Sequence, residues 1–255
     1  MSRCEDLSLV VLTDHEGGSP PDLGIGTTGS TLSLPAAELG NGAGLSASLV
    51  EREGVLAYVA AEGAEADVAA RSLATLLPGP VVTRGAARAV GLCLGALVHL
   101  RSVQRDPRFS RTLVVGARGA GALVPLLLAC GVADLSLWNV EDDRWLPLRT
   151  AVRDVDVVID LIGRVRAAGV DQDCAVGSVI EADRFDPDVA LAPALLAGLA
   201  DARTSLRGEP PARLLRDVVD AVLTAGVGRD WSAALHDQRT AEIVRRAVRQ
   251  GLGGA

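Results

Sequence analysis

A chain of 255 residues in which 49% are hydrophobic can bury one large core or two modest ones, which excludes a disordered polypeptide. Its net charge of −7, with arginines interleaved among acids, argues against a nucleic-acid partner, and no uninterrupted apolar stretch is long enough to span a membrane. All 25 basic residues are Arg, so any mechanism that needs a lysine amine as Schiff base, general base or phosphate clamp is excluded.

Aromatic residues make up only 2% of the chain, so the core must be built from Leu, Val, Ile and Ala. That composition suits parallel strands covered by aliphatic helices. The expected class is α/β, a Rossmann-like parallel sheet domain with a smaller N-terminal α/β domain and C-terminal helices, divided as 1–104 and 105–255. Residues 1–6 do not begin a signal peptide, and Cys4, Cys93, Cys130 and Cys174 are far apart with no neighbouring His. The expectation is a cytoplasmic protein with no metal site, its cysteines serving as small buried residues.

In chain order, 7–13 reads as a strand, followed by a Gly/Pro-rich surface loop over 17–29. Asp14-His15-Glu16, at the strand end, read as solvated loop residues, because neighbours in an extended segment point in opposite directions. Residues 45–50 and 55–60 suggest two strands of a hairpin around 51–54, and a helix over 66–77 ends at Pro78-Gly79-Pro80. A short strand at 81–83 then leads through Arg84-Gly85 into a long apolar helix from Ala86 to about Val103.

The centre of the chain is Thr112-Leu113-Val114-Val115-Gly116-Ala117-Arg118-Gly119-Ala120-Gly121, followed by an apolar run to Gly131. A fully aliphatic strand, a glycine turn and a helix are the components of a phosphate-binding crossover. A second strand over 135–140 completes the unit. The glycines run G-x-x-G-x-G, with Arg118 where a second glycine normally allows close approach. Gly116, Arg118, Gly119 and Gly121 are therefore candidates for the pyrophosphate of NAD or NADP, and the alternative is that the glycines only permit close helix-on-strand packing.

Asn139 lies where such proteins place a carboxylate for the ribose hydroxyls, about twenty residues beyond the turn. A neutral amide there, with Arg118 on the turn, removes repulsion toward a 2′-phosphate and favours NADP; alternatively Asn139 caps the strand end and Arg118 pairs with the acidic turn 141–143. The strand-like run 157–163 puts Asp160 and Gly163-Arg164 at the carboxyl end of the sheet, where a nicotinamide or a small-molecule substrate belongs. Asp160 is the catalytic candidate, with His99 and His15 as other proton donors and Tyr58 as the only tyrosine. The interval 141–156 is too short for another complete strand-helix repeat, so a trimmed sheet is expected, with a further strand over 174–180. Helices follow at 193–206, 211–224 and 232–250, where His236, Arg245, Arg246 and Arg249 read as solvated surface.

The succession of Thr83-Arg84-Gly85-Ala86-Ala87, the 116–121 glycine turn and Asp188-Val189-Ala190-Leu191-Ala192-Pro193-Ala194 resembles the two-domain dehydrogenases that include malic enzymes and ornithine cyclodeaminases. The resemblance implies an NAD(P)-dependent oxidoreductase of a small metabolite, with a Rossmann domain joined to a substrate domain. The catalytic lysine of those families is absent here, and Arg84-Gly85-Ala86 stands where malic enzymes carry a metal-binding acid before Gly-Thr. The stretch from Leu113 through 131–137 to Glu141-Asp142-Asp143 and Pro147-Leu148-Arg149 is also similar to the nucleotide-binding core of ubiquitin-activating-type adenylating proteins. That second likeness implies a non-catalytic scaffold or accessory protein with a protein or peptide partner. A homodimer is compatible with either expectation.

Overall fold

The computed structural model describes residues 8–13, 31–35, 55–61, 64–173, 178–202, 206–228 and 230–253. Two parallel four-stranded sheets organise them. The first contains β1 (Ser8–Thr13), β2 (Thr31–Pro35), β3 (Val55–Val59) and β4 (Val81–Thr83) in the order β2-β1-β3-β4. Helix α1 (Ala64–Leu76) joins β3 to β4 and buries Ala66, Ala69, Ala70 and Leu73 with Val55, Ala57 and Val59. The expected hairpin is not formed along 57–59, because β3 pairs in parallel with β1 on one side and with β4 on the other. Its other half, 45–50, lies outside the described residues.

Helix α2 (Arg84–Ser102) begins where β4 ends, two residues before its expected start, because the Thr83 hydroxyl accepts the Ala86 N–H at 3.0 Å and caps the first turn. Its side chains are buried almost all round, so it is an internal helix rather than an amphipathic surface one. Val11, Leu56, Tyr58 and Val82 of the first sheet share one apolar cluster with α2 and with Val114, Val157, Ile159 and Ile180 of the second sheet. Gly91 and Gly95 form a shallow groove on α2 that receives the rings of Phe185 and Trp231, which meet edge to face at 5.6 Å and 72°.

The second sheet contains β5 (Arg111–Val115), β6 (Asp134–Trp138), β7 (Val157–Asp160) and β8 (Val179–Glu181) in the order β6-β5-β7-β8. Val114 faces the α2 side, whereas Leu113, Val115 and Trp138 pack on the other face with Leu148, Val152, Val158, Val165 and Val170. After β5, a 3-10 turn (Ala117–Gly119) precedes α3 (Leu123–Ala129). The interval between β6 and β7 holds only a 3-10 turn (Val140–Arg144) and the single-turn α4 (Leu148–Ala151), which produces the expected trimmed sheet. Strand β6 lies on the outside of the sheet, and its Leu137 is half exposed. A further one-turn helix, α5 (Arg164–Ala167), follows β7.

Beyond β8 come α6 (Pro187–Ala190), α7 (Ala192–Asp201), α8 (Ala212–Thr224), α9 (Trp231–Leu235) and α10 (Gln238–Gly253). The helix expected over 232–250 is two helices, broken at His236-Asp237, where the Asp237 carboxylate accepts the Arg239 N–H at 3.0 Å. His236 is exposed, and Arg245 pairs with Asp201 at 2.7 Å through Nη2. Cys93 is buried and Cys130 half-buried; Cys4 and Cys174 lie outside the described residues, as do Asp14, His15 and Glu16. No described helix is long and apolar enough to cross a membrane.

Candidate functional site

In chain order the strands of the second sheet run 2-1-3-4, so the direction of winding reverses between β5 and β7. In open parallel sheets the crevice at such a reversal, beyond the carboxyl ends of the strands, is where ligands bind. The register puts Val115, Trp138, Asp160 and Glu181 in one row across that edge. The residues immediately after them, including Gly116, Asn139 and Leu161, form the rim.

Gly116 adopts φ +82°, which only glycine tolerates without strain. A Cβ there would also stand 2.7 Å from Cγ2 of Ile162, the half-exposed residue that crosses over it from the end of β7. Gly121 has φ +39°, whereas Gly119 has no positive φ, so its contribution is space and not conformation. A Cβ at Gly119, Gly121 or Gly163 would meet nothing within 4 Å. The backbone at these three glycines is thus open on the side a Cβ would occupy.

Arg118 and Asn139 meet, but not as free ligand-binding groups. The Arg118 backbone N–H donates to Oδ1 of Asn139 at 2.9 Å, pinning the glycine turn to the end of β6. Asp142 in turn accepts the Asn139 N–H at 2.7 Å. The Arg118 guanidinium donates to Glu141 at 2.6 Å, with side chains 74% and 58% exposed. This is the pairing with the acidic turn that the sequence left as an alternative. An exposed pair of this kind contributes about 0–1 kcal/mol, so the guanidinium can exchange partners at small cost.

Asp160 is at the crevice floor, as its strand position implies, but its carboxylate is buried and occupied. Oδ1 accepts the Ile162 N–H at 3.1 Å and Oδ2 the Val165 N–H at 2.7 Å. It holds the 161–165 loop over the rim. Glu181, next to it in the row, is also buried and accepts from Arg166 at 2.9 Å and Arg184 at 3.4 Å.

A second cluster, not anticipated as a unit, lies where the segment after β8 crosses to the carboxyl end of the first sheet. The hydroxyl of Tyr58, on β3, donates to Asp188. Arg84, the first residue of α2, stands 3.4 Å from Asp188 and 3.5 Å from Asp186. Burial, and after it the hydrogen bond to Asp188, push the Tyr58 phenol far above its ordinary range. Tyr58 is therefore held protonated, and its hydroxyl is a fixed donor rather than an acid. The sequence signal was weak: Tyr58 and Asp188 are 130 positions apart. Among the described residues there is no cluster of three or more His, Cys, Asp or Glu able to hold a metal ion.

No protein-family model matches the chain, and no curated protein matches its sequence. Solved structures do match in fold. The NAD-dependent malic enzyme from Thermotoga maritima superposes with a TM-score of 0.69 over 96% of this chain and 85% of that one, at 13% identity. The malic enzyme from Pyrococcus horikoshii gives 0.70 over 98% and 77%, at 12% identity, and that from Entamoeba histolytica 0.67 over 98% and 70%, at 12%. Both sheets and the C-terminal helices therefore belong to one arrangement that these enzymes share with this chain.

Proposed function

We propose that the crevice between the carboxyl ends of β5 and β7 binds a nicotinamide dinucleotide, NAD or NADP, and that the chain is an oxidoreductase of a small metabolite. The observation that carries this reading is the reversal of strand order at Gly116, beside open backbone at Gly119 and Gly163. Its support from likeness is one of fold: a solved neighbour is itself an NAD-dependent malic enzyme. A bound dinucleotide supplies a hydride donor or acceptor, which no side chain provides.

The chain's own residues give that cofactor a place. The glycine turn, fixed by the Arg118–Asn139 bond, presents backbone at Gly119 and Gly121 to the pyrophosphate. Asn139 and Glu141 border the ribose, and the Arg118 guanidinium serves a phosphate by leaving Glu141. Asp160 acts as a positioning residue for the loop that carries Ile162 and Gly163. Segment 105–255 is then the nucleotide-binding part, and 1–104 contributes Tyr58 and Arg84 on the substrate side. Arg84, already meeting carboxylates of its own chain, suits an acidic substrate.

Fluorescence titration of the full chain with NADH and NADPH is the test. Saturable binding of either supports the reading, and none at millimolar concentration overturns it in favour of an accessory protein. With the cofactor bound, Arg118→Ala is expected to weaken NADPH by about 1.5–3 kcal/mol more than NADH if the guanidinium meets a 2′-phosphate. Equal weakening of both assigns Arg118 to the pyrophosphate.

A further inference from the structure

Two of the four cysteines come together where α2 and α3 pack. Along α3, Leu123, Leu126, Leu127 and Cys130 recur at helical spacing; the three leucines are buried in the cluster that also holds Cys93, and Cys130 packs against that cluster from the cap position. Cys93 sits in the middle of α2, sealed from solvent. One turn to either side of it are Ala89 and Ala96, small enough to let another helix come close. Helix α8 closes the third side, in contact with both α2 and α3. The thiols of Cys93 and Cys130 meet there in a side-chain hydrogen bond, and both are reduced.

The two sulfurs differ in exposure and in freedom. Cys130 is half-buried, so a small solute reaches it from water, whereas Cys93 has no solvent contact. The hydrogen bond with Cys130, and after it burial, hold the Cys93 thiol well above its ordinary range, so Cys93 keeps its proton until an electrophile forms beside it. Cys93 is fixed in mid-helix, but Cys130 caps α3 and is followed by Gly131 at φ +90°. A sulfur–sulfur bond is about 2.0 Å long, so the pair must close from hydrogen-bonding to bonding distance, and the helix end supplies that movement.

We propose that Cys93 and Cys130 are a redox-sensitive pair that a hydroperoxide converts to a disulfide, tying α3 to α2. Cys130, as thiolate, attacks a peroxide oxygen: the S–O bond forms, the O–O bond breaks, and the departing oxygen takes up a proton. Cys93 then attacks the sulfenic sulfur of Cys130: the S–S bond forms, the S–O bond breaks, and hydroxide leaves with the Cys93 proton as water. The two sulfurs lose two electrons, which the peroxide gains. A thiol reductant restores the pair by exchange. Helix α3 begins two residues after the 116–121 turn, so fixing its far end to α2 restrains that turn.

Trypsin, cutting at arginine, puts the four cysteines in separate peptides, 4–52, 89–101, 119–144 and 167–184, so mass spectrometry of the full chain treated with hydrogen peroxide identifies the bridge. A cross-linked pair of 89–101 with 119–144 is expected, lacking the two thiol hydrogens and separated again by a reductant. Amide exchange over 117–122 is expected to be slower in the oxidised chain than in the reduced one. Cys93→Ser is expected to stop at a sulfenic acid on Cys130, trapped by dimedone, and Cys130→Ser, at a half-buried position, to leave Cys93 unoxidised in the folded chain. The proposal is overturned if both thiols are still alkylated on unfolding after peroxide. It is equally overturned if Cys130 bridges to Cys4 or Cys174 instead, or if a fully bridged chain exchanges over 117–122 as the reduced one does.

Discussion

Replacing Asp160 by Ala separates a structural carboxylate from a proton-transferring one. The change removes two acceptors, for the Ile162 and Val165 N–H groups. Ile162 is 45% exposed, so its amide regains water and its bond contributes little, about 1 kcal/mol. Val165 is fully buried, and its N–H, left without the charged acceptor, costs about 2–3 kcal/mol. The expected destabilisation is about 3–4 kcal/mol, which lowers Tm by about 6–16 °C in a chain of this size. Urea and thermal unfolding followed by circular dichroism measure it, and Asp160→Asn, which keeps one acceptor oxygen, is expected to lose about half as much. A loss below about 1 kcal/mol for Ala would refute the assignment of both bonds. An Asn variant of unchanged stability that turned over no substrate would return Asp160 to the chemistry.

Gly91→Ala is expected to destabilise by about 1–3 kcal/mol, although Ala is the better helix former, because the new methyl enters the space of the Phe185 ring. Gly116→Ala is expected to cost about 2–4 kcal/mol from positive φ and the clash with Ile162, and Ile162→Ala should recover only the clash, as a double-mutant cycle will show. Tyr58 is the single tyrosine, so absorbance at 295 nm reports it alone. Its folded pKa is raised, so the stability it contributes is present below the unfolded value near 10 and is lost as pH rises beyond it. No phenolate signal is expected before the chain unfolds; reversible ionisation near pH 10 in the native state, about the free value, would contradict the Asp188 bond.

The elements that could be read in advance are those whose signal is local. The aliphatic run at 113–115 with a glycine turn, the Pro78-Gly79-Pro80 stop and the long apolar helix each announce themselves within a few residues, whereas the parallel order of the first sheet and its strand at 31–35 had no such local signal. Burial of β6 was not legible, because a Leu-rich strand looks alike in the middle of a sheet and at its rim; only the missing third crossover decides. The same limit applies to the site. Gly116 was identifiable by its place after a strand, but the occupation of Asp160 depends on a loop folding back onto it. The meeting of Tyr58 and Arg84 with Asp188 depends on two sheets and a return segment, none of which leaves a periodic trace. The break at His236-Asp237 did have a signal, an Asp in N-cap position, that the strong apolar period on either side concealed.

Helix α2 has a consequence for how a ligand gets in and out. Two-lobed proteins commonly admit ligands by swinging one lobe about a flexible strap. Here the rod that would have to act as that strap is an internal helix whose side chains are shared by both sheets, with two aromatic rings seated in its glycine groove. Rotating one sheet against the other would pull those rings out of their seats. Access then falls to small pieces at the rim, such as the Ile162-Gly163 loop that crosses over Gly116.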